Sequence, residues 1–98
     1  MKVLFAIVLL WLAPTCWSAE RFYELTIDTM DVNFSGDTVQ AMAINQTIPG
    51  PKLEFTVGDT AVITVNNQLS GDASIHWHGL LLPQDQDGVP YITYFPIK

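Results

Sequence analysis

Two histidines stand one residue apart in Ser74-Ile75-His76-Trp77-His78-Gly79, and the 98-residue chain has no others. On an extended segment residues i and i+2 point the same way, so His76 and His78 share one face while Ile75 and Trp77 share the other. At the rise of a strand the two histidine Cβ atoms lie ~6.6–7 Å apart. That spacing suits two arrangements: both imidazoles on one metal ion, or each on its own member of a close metal pair. Neutral imidazole suits copper, zinc, iron and nickel. Trp77 is expected to bury and lock the orientation of the segment. Gly79, lacking a Cβ, is expected to admit another backbone or a bulky ligand cluster. Taken alone the pair is a weak signal, because surface strands carry such pairs by chance.

Other chemistries find less support. A serine-type triad is excluded, since no third histidine exists to pair with a nucleophile. Asp85 and Asp87 could form paired carboxylates or a hard-cation site. They read instead as a solvated acidic loop, because no apolar pocket is evident to raise either pKa. No catalytic residue is assigned.

The elements that must position the histidines begin after an N-terminal leader. Met1-Lys2 is a short positive start, and residues 3–13 form an eleven-residue run without a charge, broken by Pro14 and followed by the small residues Cys16, Ser18 and Ala19. This is the pattern of a secretion signal over residues 1–19. Eleven residues are too few to span a bilayer, which takes about 20. Cleavage after Ser18 fits better than cleavage after Ala19, because the latter leaves bulky Trp17 three positions before the cut. The protein is therefore expected to be exported, to a periplasmic or extracellular compartment, without membrane attachment once the leader is removed.

Cys16 is the only cysteine, so the remaining chain has no disulfide, no thiolate ligand and no thiol nucleophile. Beyond residue 19, 3 Lys/Arg face 10 Asp/Glu, a net charge of −7. That balance argues against nucleic acid and against anionic membranes, both of which need clustered Lys/Arg. A chain of this size sits near the lower limit for burying its own core.

The remainder reads as all-β. Residues 22–28 alternate, with Tyr23, Leu25 and Ile27 on one face and Glu24, Thr26 and Asp28 on the other. A short second run, 32–34, is closed by a Ser35-Gly36-Asp37 turn. Further runs are expected over 38–44, 53–57, 61–65 (with Ala61, Ile63 and Val65 sharing a side) and 74–82. Gly58-Asp59 is a hairpin-type signal. Ile48-Pro49-Gly50-Pro51 is a rigid crossing that steers the chain from one sheet to the other. Asn66 to Asp72 and Gln84-Asp85-Gln86-Asp87-Gly88 are polar loops. Pro90 and Pro96 discourage regular ladders. No useful window shows helical periodicity. Six short strands with regular turns imply a sandwich or barrel.

Several blocks follow in one order at one spacing: Asn45-Gln46-Thr47-Ile48-Pro49-Gly50-Pro51; Gly58-Asp59-Thr60-Ala61-Val62; Val65-Asn66-Asn67; Ser74-Ile75-His76-Trp77-His78-Gly79-Leu80; and Asp87-Gly88-Val89-Pro90-Tyr91-Ile92-Thr93 with Pro96-Ile97. This succession resembles the N-terminal plastocyanin-like, or cupredoxin, domain of the multicopper oxidases, in their bacterial copper-resistance and laccase-like branch. The resemblance runs from Arg21 to Lys98. Gln46 departs from it where the family more often has Gly, and Tyr94-Phe95 stands where a Gln is common before Pro96-Ile97.

The resemblance implies a Greek-key β-sandwich of cupredoxin type, with residues 20–98 forming the N-terminal part of such a domain and leaving it incomplete at its C-terminal side. It implies copper as cofactor, with dioxygen and a reducing substrate (phenols, related organic donors or Cu(I)) as partners of the full-length parent. Electrons enter such enzymes at a mononuclear blue copper and pass to a trinuclear cluster. In the His-Trp-His-Gly motif the first histidine binds the type 2 copper and the second a type 3 copper, so His76 takes the first role and His78 the second. The family completes its cluster with further His-x-His motifs and its blue-copper site with a cysteine, none of which occurs in residues 20–98. These residues by themselves are thus not expected to catalyse oxidation. The leading expectation is the start of a full multicopper oxidase. The alternatives are a stand-alone short copper-binding module without oxidase activity, or a non-functional remnant.

Overall fold

A computed structural model describes residues 17–92 and 94–98. The leader expected over 1–19 therefore lies, through residue 16, outside the described residues. The described residues carry no α-helix, only a single 3₁₀ turn at Gln84–Gln86. None of their helices is long and apolar enough to cross a membrane.

Three strands form one open mixed sheet in the order β2-β1-β3: β1 at Glu20–Val32, β2 at Val39–Ile44 and β3 at Thr60–Asn67. The alternation of residues 22–28 holds. Leu25 and Ile27 are buried and, with Ala43 of β2, make the small hydrophobic core of the described residues. Of the expected second run over 32–34 only Val32 is strand, as the last residue of β1, and Asn33 and Phe34 belong to the turn that follows.

β1 divides its pairing between two neighbours. Its second half pairs antiparallel with β2, from Ile27↔Ile44 to Val32↔Val39. Its first half pairs parallel with β3, from Glu20↔Thr60 through Leu25↔Val65 to Ile27↔Asn67. Ile27 alone faces a partner on each side. The parallel ladder reaches back one more residue, because the Ala19 carbonyl accepts the Thr60 N–H at 2.9 Å. The Ser18 hydroxyl donates to the Gly58 carbonyl at 2.9 Å.

After β2 the chain reverses through Asn45 and Gln46, both with positive φ (53° and 57°), as a two-residue turn of the type matched to strand twist requires. Thr47 closes the turn by exchanging backbone hydrogen bonds with Ile44 at 3.2 and 3.4 Å. Asn45 extends the β1 pairing with its side chain, accepting from the Thr26 N–H at 2.7 Å and donating to the Glu24 carbonyl at 3.1 Å.

Two expected strands are absent. Over 53–57 the backbone finds a side chain instead of a ladder: the Glu54 N–H donates to the Tyr23 hydroxyl at 2.9 Å, and that hydroxyl donates to the Glu54 carbonyl at 3.1 Å. Tyr23 also meets Phe55 edge to face, with centroids 5.4 Å apart. Gly58-Asp59 accordingly closes no hairpin. It is a turn in which the Asp59 carboxylate accepts the Thr56 N–H at 3.0 Å and the Arg21 Nε–H at 3.2 Å. The Thr56 hydrogen bond, helped by Arg21, holds the Asp59 carboxyl below its ordinary range.

Over 74–82 no ladder forms either. The run is interrupted by a turn in which the Leu80 N–H reaches the Trp77 carbonyl at 3.2 Å. Two-way backbone hydrogen bonds between Ala73 and Ile97, at 2.8 and 2.9 Å, tie its start to the end of the chain. The Asn67 amide steadies this closure by donating to the carbonyls of Gly71 and Ile97 at 2.8 and 2.9 Å. The crossing at residues 48–51 consequently leads from β2 into irregular chain and not into a second sheet. Unladdered segments carrying Phe55, Ile75, Trp77, Leu80 and Leu82 line, together with Ala61, Ile63 and Val65 of β3, a half-open apolar cavity of about 690 Å³.

Candidate metal centre

The alternation predicted around the histidines survives without a ladder. Ile75 and Trp77 both line the apolar cavity, and neither histidine does. Trp77 is half-buried there, anchoring the segment from its hydrophobic side. His76 and His78 sit together on the other side, ring centroids 5.7 Å apart and planes at 80°.

His76 is held by the loop that follows the 3₁₀ turn. Its Nδ1 lies 2.8 Å from the Asp87 main-chain oxygen and 3.3 Å from the Asp87 carboxylate. A carbonyl only accepts, so the hydrogen bond requires Nδ1 to carry the proton. In the neutral ring Nε2 then holds the lone pair, the state a metal ligand needs. The His76 side chain is 48% exposed. His78 is exposed, and its ring nitrogens take no hydrogen bond among the described residues.

The two glycines beside the histidines exchange the roles expected of them. A Cβ at Gly79 would meet nothing within 4 Å among the described residues, so no close backbone or ligand cluster accounts for this glycine there. Its φ of +81° accounts for it, as the left-handed residue of the turn after His78. The close approach occurs at Gly88, where a Cβ would fall 1.7 Å from the Ile75 carbonyl oxygen and 3.0 Å from the His76 Cα. Gly88 is buried, with φ +77°.

The acidic loop also differs from expectation. Asp85 is exposed at the rim of the apolar cavity, away from the histidines. Asp87 is not freely solvated: it is half-buried against His76. Sequence reasoning missed Asp87 and Gly88 as supports of the site. The only trace was that Asp87-Gly88-Val89-Pro90 forms one of the ordered blocks, which says nothing of contact.

Among the described residues no group of three or more His, Cys, Asp or Glu is arranged to hold a metal. The pair can therefore supply two imidazoles to a copper site and needs donors from elsewhere to complete one. The donor chemistry fits: two neutral imidazoles, one with its tautomer fixed by a second partner, suit copper.

Comparison with known proteins agrees with this chemistry. The sequence model of a family described as multicopper oxidase matches residues 26–98. Copper resistance protein A of Pseudomonas syringae pv. tomato is 39% identical over 91% of this chain and 16% of its own length. Copper resistance protein A of Escherichia coli is 43% identical over 78% of this chain and 13% of its own length. A crystal structure of a multi-copper oxidase from Pseudomonas thermotolerans superposes with a TM-score of 0.77 at 31% identity, covering 84% of this chain and 20% of that one. The chain thus spans less than a fifth of each of these relatives by sequence and a fifth of the solved structure.

Proposed function

The chain belongs to the multicopper oxidase family, whose cofactor is copper, and from that premise we propose that it is the N-terminal copper-binding part of an exported oxidase of laccase-like or copper-resistance kind. His76 is a ligand of the type 2 copper and His78 a ligand of a type 3 copper, in a trinuclear cluster whose other ligands lie elsewhere in the parent protein. Residues 1–19 act as its export leader, and residues 20–98 form the first part of a plastocyanin-like domain. The loaded cluster supplies the electron transfers that reduce dioxygen to water while a phenol, a related organic donor or Cu(I) is oxidised.

One observation carries the assignment to these two side chains. The Asp87 main-chain oxygen, 2.8 Å from His76 Nδ1, leaves Nε2 as the unprotonated nitrogen, beside a second exposed imidazole with no other partner among the described residues. The chain's own contribution is therefore to orient two imidazoles, keep one in a ligating tautomer, and fix their segment from behind through Ile75 and Trp77.

Equilibrium copper titration of the secreted chain tests the ligand roles. Weak saturable uptake is expected, abolished by His76→Ala and by His78→Ala; uptake indifferent to both substitutions refutes them. Reading the gene past the codon for Lys98 separates the oxidase from a stand-alone copper module. Further His-x-His pairs and a His-Cys-His segment are expected, and a stop codon with no such frame beyond it contradicts the oxidase.

A further inference from the structure

We propose that Gly88 is a positioning residue for the copper site: by letting its loop close onto the Ile75–His76 peptide, it brings the Asp87 carbonyl to His76 Nδ1 and so sets the tautomer of that histidine. The inference rests on reading His76 as a copper ligand, but it concerns the chain before any metal arrives.

The geometry is restrictive in two independent ways. A side chain at position 88 would drive its Cβ to 1.7 Å from the Ile75 carbonyl oxygen and 2.5 Å from the carbon of the same group, far inside contact distance, and both are backbone atoms that no rotamer change can move. The φ of +77° is also a conformation that L side chains rarely adopt. Position 88 follows directly on the residue whose carbonyl meets His76 at 2.8 Å. Displacing one must displace the other. The hydrogen bond comes from main chain, so the identity of residue 87 is not what sets the tautomer; the absence of a side chain at 88 is. Without this bond an exposed imidazole is free to place its proton on Nε2, the nitrogen that would have to ligate. The Asp87 carboxylate at 3.3 Å adds charge near Nδ1 but is the longer of the two contacts.

The test reads nitrogen-15 signals of the His76 ring in the metal-free full chain at a pH where the ring is neutral. The parent chain should show the proton on Nδ1. Asp87→Asn, which keeps the carbonyl, should show the same. Gly88→Ala should move the proton toward Nε2 and weaken copper binding roughly ten- to a hundred-fold, the usual cost of losing such an outer partner. Amide signals of Leu25 and Val65 report whether the sheet survives the alanine. If it does not, the parent chain and Asp87→Asn decide alone. An Nε2 proton in the parent chain, a switch of tautomer in Asp87→Asn, or an unchanged Nδ1 proton in a folded Gly88→Ala each overturns the proposal. Failure of the ligand reading looks different: the Nδ1 proton is present, and no copper binds at His76.

Discussion

The main-chain oxygen of Asp87 lies 2.8 Å from Nδ1 of His76, across eleven residues of sequence. This contact turns a surface histidine into one whose free nitrogen is defined, and it places the 84–88 loop in the architecture of the site. Copper held by His76 and His78 needs both rings neutral, so uptake should decline as the solution is acidified and return when it is neutralised. Titrations at neutral and acidic pH check this; equal uptake at both contradicts imidazole ligation.

Gln46 occupies a left-handed backbone conformation, φ 57°, where glycine carries no steric penalty. Its side chain returns only a long hydrogen bond, 3.4 Å from Nε2 to the Thr29 carbonyl. Gln46→Gly should therefore stabilise the chain, by about 0.5–1 kcal/mol. Denaturant midpoints compare the two, and a lower midpoint for the glycine variant would show that the Thr29 contact outweighs the backbone.

The Tyr23 hydroxyl both donates to and accepts from the backbone of Glu54. Tyr23→Phe keeps the ring against Phe55 and removes both hydrogen bonds, at a cost of about 1–2 kcal/mol. Faster amide exchange at Glu54 should accompany the loss. Unaltered stability and exchange would mean that the 53–57 segment is held by Phe55 alone.

Asp59 caps its turn by accepting from Thr56 and Arg21, and its carboxyl titrates below the ordinary value of 3.8. A lowered folded-state pKa gives stability that is present above the ordinary value and lost as pH falls through the folded one. The stability gap between the parent chain and Asp59→Asn should thus be largest near neutral pH and shrink below pH 3.8. A gap that stays constant into strong acid would remove the carboxylate from the account.

Much of this arrangement is written in local pattern. The alternation of Tyr23, Leu25 and Ile27 marks the buried face of β1, and Ile75 and Trp77 part from the histidines as two-residue periodicity requires. What pattern does not disclose is which group satisfies a backbone. Residues 53–57 have the composition of a strand, yet Glu54 is met by a hydroxyl 31 residues away. Residues 74–82 likewise look extended, and it is Gly88, folded back against Ile75, that lies beside them. Asp87 reads as solvated for the same reason: its half-burial is created by a loop closure that no local window contains.

The divided pairing of β1 bears on how the chain is made. Its second half finds β2 almost at once, across a short connection, whereas its first half waits for β3, which ends at Asn67, some thirty-five residues after Val32. At ~5–20 residues per second that interval is roughly two to seven seconds of synthesis. Throughout it, Glu20 to Tyr23 has no strand beside it, whereas the Glu24 carbonyl and the Thr26 N–H can already be met by the Asn45 side chain, so the sheet is completed from its β2 side first.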